Sequence, residues 1–280
     1  MKLLRVGLPG AEKPACLDPQ GNIRDLSSII PDWTPETIGA GALAKVQQAS
    51  ITTMPIISPQ TRIGPCINKP NKFVCVGLNY TDHAAESGMQ APDEPILFMK
   101  ATSAICGPND GIKLPRMAQK VDWEVELGLI IGKEAKYISE SDAFEHIAGY
   151  CVLNDVSERA FQMERSGQWV KGKSADTFGP TGPYLVTSDE IKDPNNLHLW
   201  LEVNGHRYQD GTTANMIFKV PFLVSYISQF MTLWPGDIIA TGTPAGVGMG
   251  QSKPIYLNAG DVVRLGISQL GEQTQLVEVA

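Results

Sequence analysis

Apolar and polar residues alternate along most of this chain, or apolar residues gather in short runs bounded by Gly and Pro, which is the pattern of β-strands. From Lys72 onward strands are predicted at "KFVCVGLNY", "PILFMKAT", "WEVELGLIIG", "AGYCVLNDVS", "GPYLVTS", "LHLWLEVNG", "DIIATGTP" and "GDVVRLGI". Helical spacing is confined to "YTDHAAESG", "SESDAFEHI", "SERAFQMER" and "VPFLVSYISQFMTLW", which does not give the strand-to-helix alternation of a doubly wound sheet. Ahead of these, "MKLLRVG" and "KPACLD" read as strands and "DPQGN" as a tight turn before "IRDLSS". "TPETIGAGALAKVQQAS" reads as one helix, N-capped by Thr34 with Pro35 in its first turn. The Pro-rich connector "ISPQTRIGPCINKPNK" then divides the chain into a small N-terminal α+β domain, residues 1–65, and a larger, mostly β domain, residues 66–280.

One strand departs from this pattern. In "VDWEVELGLIIG" successive side chains point to opposite faces, so Val121, Trp123, Val125, Leu127 and Leu129 form an apolar face and Asp122, Glu124 and Glu126 an acidic one. At a rise of about 3.3 Å per residue, Glu124 and Glu126 lie about 6.6 Å apart at Cα, close enough for both carboxylates to reach one cation. A row of acids also suits the solvated outer face of an edge strand. The next strand, "YCVLNDVSER", is apolar up to Leu153 and then ends in Asn154 and Asp155. An acid at the end of a buried strand is costly unless it is paired or ligates a metal. Three carboxylates with no His or Cys nearby favour a hard cation: Mg²⁺, or Mn²⁺ or Ca²⁺.

Composition narrows the partners. With 280 residues the chain can bury a core without staples, and 42% apolar with 19% charged residues argues against disorder. A net charge of -7 speaks against a broad nucleic-acid surface, and an anionic substrate then needs a local positive centre. The cysteines, Cys16, Cys66, Cys75, Cys106 and Cys151, are odd in number and lack metal-ligand spacing, so they read as reduced thiols. "MKLLRVGLPGAEK" has no apolar core of signal-peptide length, and no run approaches the roughly 20 apolar residues of a membrane helix. The expectation is a cytoplasmic protein without a membrane partner.

Other segments carry candidate chemistry. "GLNYTDHAAESG" sets His83 and Glu86 three residues apart, on one face of a helix, where a carboxylate on one ring nitrogen orients the imidazole and leaves the other free to activate water. "WVKGKSADTFGPTGPYLVT" puts Lys171 and Lys173 in a loop, where a lysine near a metal-bound oxyanion stabilises negative charge. "ATGTPAGVGMG" lacks the ending of a phosphate-binding loop, but its backbone N–H groups and the hydroxyls of Thr241 and Thr243 suit a substrate carboxylate.

Taken in order, "CVGLNYTDHAAESG", "EPILFMKATSAICGPNDGI", "VDWEVELGLIIGK", "YCVLNDVSERAFQ", "GKSADTFGPTGPYLVT" and "ATGTPAGVGMG" resemble the fumarylacetoacetate hydrolase family over about residues 70 to 270. The small N-terminal domain is similar to the leader of many bacterial members, among them those named ureidoglycolate lyase, 2-hydroxyhepta-2,4-diene-1,7-dioate isomerase and 2,4-diketo-3-deoxyrhamnonate hydrolase. The resemblance implies an α+β, mostly β fold with a mixed β-roll or sandwich catalytic domain, assembled as a homodimer. It implies a divalent ion, commonly Mg²⁺, on Glu124, Glu126 and Asp155, with Asp122 outside the ligand set. It places His83 and Glu86 on a lid that orders with substrate, identifies Lys173 rather than Lys171 as the family lysine, and adds Gln162 and the loop residues Thr241, Gly242 and Thr243. Two departures are Ala175, where many members have Phe, and Ala160, where an acid often follows the arginine; the second leaves the role of Arg159 open. The implied reaction is metal-dependent hydrolysis of a C–C bond in a 2,4-dioxo acid, releasing pyruvate and a second acid. Enol–keto isomerisation or decarboxylation of a 2-oxo acid, and ureidoglycolate cleavage, use the same site. The alternative of another class is a non-catalytic, metal-stabilised binding module. Specificity is expected from the loops "GMQAPDEP" and "RYQDGTTANM".

Overall fold

In the computed structural model, which describes residues 1–86, 88 and 90–280, a long mixed sheet packs against a second, shorter one. The long sheet runs in the order Ile56–Ile57, Ile23–Asp25, Lys13–Leu17, Lys2–Val6, Gly179–Thr187, Ile147–Asn154, Val125–Ile131, Ile238–Ala240, Phe73–Gly77 and Ile96–Met99. The second runs His206–Thr212, His198–Val203, Val262–Ile267, Gly271–Val279 and Ile112–Leu114. The chain is mostly β, as its alternation predicts. Among the described residues no helix is long and apolar enough to cross a membrane.

The acidic strand lies at the centre of this architecture. Val121, Trp123, Val125, Leu127 and Leu129 all enter the main apolar cluster, which they share with Leu199, Leu201, Val263 and Leu265 of the second sheet. Each such leucine contributes about 1.5–3 kcal/mol through burial. On its other face Ile130 packs into a second cluster with Leu26, Trp33 and Ile38. The strand is hydrogen-bonded on one edge to Ile147–Asn154 and on the other to Ile238–Ala240. It is therefore no solvated edge strand, and its acids are buried. It is also interrupted: Val121–Asp122 pairs separately with Ser157–Glu158. In the gap the Trp123 ring donates to Gly246 O at 3.1 Å and the Glu124 N–H to Asn154 Oδ1 at 3.2 Å, in place of ladder bonds.

Residues 1–65 supply strands to the same long sheet, where Lys2–Val6 pairs antiparallel with Gly179–Thr187. The helix expected across "TPETIGAGALAKVQQAS" is two: α1, Pro35–Gly39, and α2, Ala42–Gln47. Thr34 caps the first in a capping box with Thr37. Gly41 then takes φ 81°, a left-handed conformation that costs glycine nothing and stops the turn. "SESDAFEHI" is a 3₁₀ segment, Glu140–His146, rather than an α-helix. The last strand, Gly271–Val279, is hidden in the sequence because two of its inward positions are glutamines. Their amides are satisfied in the core: Gln273 Nε2 donates to Val152 O at 2.9 Å and Gln275 Nε2 to Pro108 O at 2.6 Å. His206 opens the second arm of a hairpin whose turn, Asn204–Gly205, has positive φ at both residues.

Candidate metal centre and active-site cavity

Register brings the acids together. Val125 pairs with Asn154, and the Asp155 N–H donates to Glu124 O at 2.9 Å. Glu124, Glu126 and Asp155 each offer a carboxylate oxygen, all within 4.8 Å of one another, and all three residues are buried. The Gly242 N–H donates to Glu126 Oε2 at 2.8 Å. Only glycine can present that amide, because the residue has φ +97° and a Cβ would come within 2.8 Å of Asn79 Cβ.

Three cations surround the acids. Lys173 does not lie in a loop: it ends the short helix Val170–Lys173, whose Gly172 packs so closely that a Cβ would sit 2.4 Å from Glu158 O. Its Nζ donates to Glu124 Oε2 at 2.8 Å and to Asp155 Oδ2 at 2.7 Å. Burial opposes the ammonium charge, but Asp155 and Glu124 outweigh it and raise the Lys173 pKa. Lys171, on the same helix, is exposed and bonds the Arg165 carbonyl. Of the other two cations, Lys100 was not singled out from the sequence, and Arg159 was named there with its role left open. Lys100, 2% exposed just past the strand Ile96–Met99, pairs with Asp155 and donates to Val156 O at 3.0 Å. Arg159 donates through Nε to Asp122 Oδ2 at 2.8 Å and holds Nη2 2.7 Å from Glu124 Oε1. Its acidic partners thus come from the acidic strand, not from the position after it, where Ala160 stands. The signal available in the sequence was "PILFMK", a lysine closing an apolar strand, because a buried charge demands a partner.

Asp122 serves a different purpose from the three convergent acids. Its oxygens accept the N–H groups of Trp123 at 2.8 Å, Gly248 at 2.6 Å and Met249 at 3.0 Å as well as Arg159 Nε. It ties the glycine loop to the acidic strand.

The electrostatics separate the two glutamates. Burial raises the Glu124 pKa, but Lys173 and Arg159 outweigh it and bring it down to about 2. Glu126 goes the other way, pushed well above the usual carboxylate range by burial, by Asp155 and by Glu124. It forms no ion pair among the described residues. A buried carboxylate without a cationic partner, converging with two others, is a donor set that fits a divalent ion with oxygen preference.

Facing the acids is a histidine on a helix spanning Thr81–Glu86; Ser87, the next residue of the expected segment, lies outside the described residues. His83 Nδ1 lies 3.2 Å from Glu86 Oε2, and Glu86 Oε1 accepts the Gly246 N–H at 2.9 Å. Glu86 thus fixes the ring and anchors its helix to the glycine loop. His83, Glu124, Glu126, Gln162, Lys173 and Thr243 border one cavity of about 120 Å³. Gln162 is buried on the helix Arg159–Met163, and its Oε1 accepts from Arg159 Nη1 at 3.1 Å. The Thr243 hydroxyl donates to Val125 O at 2.8 Å and accepts from Gln209 Nε2 at 2.7 Å. Thr241 and Gly242 do not line the cavity; the Thr241 hydroxyl donates to Leu127 O at 3.0 Å, so both residues brace the acidic strand. Ala175 packs against the main apolar cluster and likewise does not line the cavity. "RYQDGTTANM" forms a strand and a 3₁₀ turn of which no residue lines the cavity; "GMQAPDEP" includes Met89, which lies outside the described residues.

Comparison with known proteins agrees with this fold. The family model for the fumarylacetoacetate (FAA) hydrolase C-terminal matches residues 72–278. A Burkholderia multivorans protein named "Putative hydrolase" is 56% identical over 281 residues, covering 100% of both chains. The solved structure of a fumarylacetoacetate hydrolase from Exiguobacterium antarcticum superposes with a TM-score of 0.88 at 34% identity, covering 100% of both chains. Maleylpyruvate hydrolase from Sphingobium sp. SYK-6, solved with manganese(II) and pyruvate, superposes with a TM-score of 0.83 at 29% identity, again covering 100% of both chains.

Proposed function

The chain belongs to the fumarylacetoacetate hydrolase family, and from that premise we propose that it is a divalent-metal-dependent hydrolase cleaving a C–C bond of a 2,4-dioxo acid to release pyruvate and a second acid. The observation that carries this reading is a single cavity lined by Glu124, Glu126 and a histidine held by a glutamate, with the buried Asp155 carboxylate converging on the two glutamates. Glu124, Glu126 and Asp155 would hold Mg²⁺, or Mn²⁺ or Ca²⁺. When bound, such an ion supplies Lewis-acid polarisation of the substrate's oxygens and a sink for the electrons of the departing pyruvate enolate.

The rest falls to the chain's own side chains. His83, its Nδ1 turned to Glu86, takes the proton of the water that attacks the distal carbonyl. Arg159 occupies Gln162 Oε1, which leaves the amide NH₂ as the group Gln162 offers an oxyanion. Lys173 adds an ammonium to the same wall of the cavity. Thr243 borders the substrate, and Thr241 and Gly242 act through the strand and the carboxylate they hold. Charge supports an acid as the substrate. Asp122, Glu124, Glu126 and Asp155 outnumber Lys100, Arg159 and Lys173 by one, and a divalent ion reverses that sign. The maleylpyruvate hydrolase neighbour, solved with manganese and pyruvate, supports the same chemistry. We place the working form as a homodimer, to be checked by sedimentation equilibrium.

Pyruvate release from a panel of acylpyruvates, with Mg²⁺ or Mn²⁺ added, tests the proposal. Glu124→Ala should lose both metal binding and turnover. Full activity of that variant in chelator contradicts it, CO₂ in place of pyruvate assigns decarboxylation, and ligand binding without any turnover assigns a binding module.

A further inference from the structure

The cavity has two ends of opposite chemistry, and one strand measures the distance between them. Lys100, just past the strand Ile96–Met99, holds Asp155 at the acidic end. Two residues back, Phe98 lies beneath Lys173, whose Nζ is 5.1 Å from the ring centroid. Two further back, Ile96 also lines the cavity. At about 3.3 Å per residue, Ile96 stands about 13 Å along the strand from Lys100. Trp169 meets Phe98 edge to face, with centroids 5.2 Å apart. The indole lies over Gly77, the strand partner of Ile96; a Cβ on Gly77 would come within 2.8 Å of Trp169 Cζ3. The glycine is what lets the indole seat there. Met163 and Met249 also line the cavity.

Among the described residues the charged side chains that line the cavity are His83, Glu124, Glu126, Arg159 and Lys173, and Lys173, which lies over the Phe98 ring, spends its ammonium on Glu124 and Asp155. The other lining cation among the described residues, Arg159, is held by Asp122 and Glu124. The residues that lead into Ile96 are Asp93 and Glu94, which are negative. The basic residues flanking Trp169 in the chain are engaged elsewhere, Arg165 on the Phe161 ring at 4.4 Å and Lys171 on the Arg165 carbonyl. Ser87 and Met89, outside the described residues, carry no charge.

We propose that the group carried at the far end of the substrate is apolar, aryl or alkyl, and that this site discriminates against 2,4-dioxo acids bearing a second carboxylate there. The inference rests on the 2-oxo-acid reading of the metal end. A carboxylate against Ile96, Phe98 and Trp169 would give up part of its water with no uncommitted cation among the described lining residues to replace it, whereas a phenyl or alkyl group removes apolar surface from water. Maleylpyruvate carries such a second carboxylate, so the proposal separates this chain's substrate from that of the Sphingobium neighbour.

Two uncleaved probes of similar length test it on the Mn²⁺-loaded protein by calorimetry: 2-oxo-4-phenylbutanoate, with an apolar tail, and 2-oxoadipate, with a carboxylate tail. The expected result is at least tenfold tighter binding of the phenyl probe. Ile96→Arg, at a half-exposed strand position, should narrow or invert that preference, and Trp169→Ala should weaken the phenyl probe while leaving 2-oxoadipate unchanged. Equal or tighter binding of 2-oxoadipate by the parent protein overturns the proposal, as does binding of neither probe or an unchanged preference in both variants. Failure of the hydrolase reading looks different: no acylpyruvate releases pyruvate, while the preference between the probes persists.

Discussion

Asp122→Asn tests how the site is braced. The parent carboxylate is fully buried and accepts from four donors: Trp123 N and Gly248 N on Oδ1, Met249 N and Arg159 Nε on Oδ2. Asparagine has one acceptor oxygen, so its NH₂ must face one pair of these donors whichever way the amide turns. Two buried donors lose their acceptor, each at about 1–3 kcal/mol. Arg159 also loses one of its two ionic partners, and breaking a buried pair costs about 3–5 kcal/mol. The two routes overlap, and a destabilisation of about 3–5 kcal/mol is expected. At about 2–4 °C per kcal/mol for a chain of this size, the melting temperature should fall by roughly 10 °C. Paired urea and thermal unfolding curves measure it. Adding Arg159→Met removes the stranded charge, so the double variant should lose less than the sum of the single variants. A single-variant loss below about 1 kcal/mol, or strict additivity in the cycle, would refute the reasoning, because such a carboxylate would not be holding the loop and the arginine together.

Further outcomes follow from the same contacts. Gly242→Ala strains a residue at φ +97° and withdraws an N–H from Glu126, a charge-assisted bond of about 1.5–3 kcal/mol; Mn²⁺ affinity by calorimetry should drop about 10- to 100-fold. Lys100→Met leaves Asp155 with Lys173 as its remaining ammonium; the rise in melting temperature between chelator and Mn²⁺ should be larger in the variant than in the parent. Asp18 titrates at about 2: burial pushes it up, but hydrogen bonds from Asn22, Arg24 and Gln20 outweigh this. A depressed acid stabilises above its unfolded pKa and loses that contribution as pH falls, so the melting-temperature gap between the parent and Asp18→Asn should be full at pH 5 and narrow by roughly half at pH 3.

Much of this was legible because alternation is a backbone property. A period of two put Glu124 and Glu126 on one side, and an apolar strand ending in Asp155 pointed to a buried acid, so the convergent carboxylates follow from spacing and burial cost. The helix α1 and its Thr34 cap were legible for the same local reason. What escaped was set by partners distant in sequence. Lys100 meets Asp155 across 55 positions and Arg159 meets Asp122 across 37, and nothing near either base announces its acid. Lys173 sits on a helix because Gly172 packs against Glu158 and Gln162, a contact that local propensity does not encode. The strand Gly271–Val279 was missed because Gln273 and Gln275 occupy inward positions, where their amides satisfy distant carbonyls.

The central claim is that Glu124, Glu126 and Asp155 together grip one divalent ion. Titration of Mn²⁺ into chelator-treated protein, followed by the loss of the free-ion electron paramagnetic resonance signal, tests it most directly. One Mn²⁺ per chain is predicted for the parent, with binding lost or weakened at least tenfold in each of Glu124→Gln, Glu126→Gln and Asp155→Asn. A parent chain that takes up no ion, or three variants that bind it as tightly as the parent, would contradict the account.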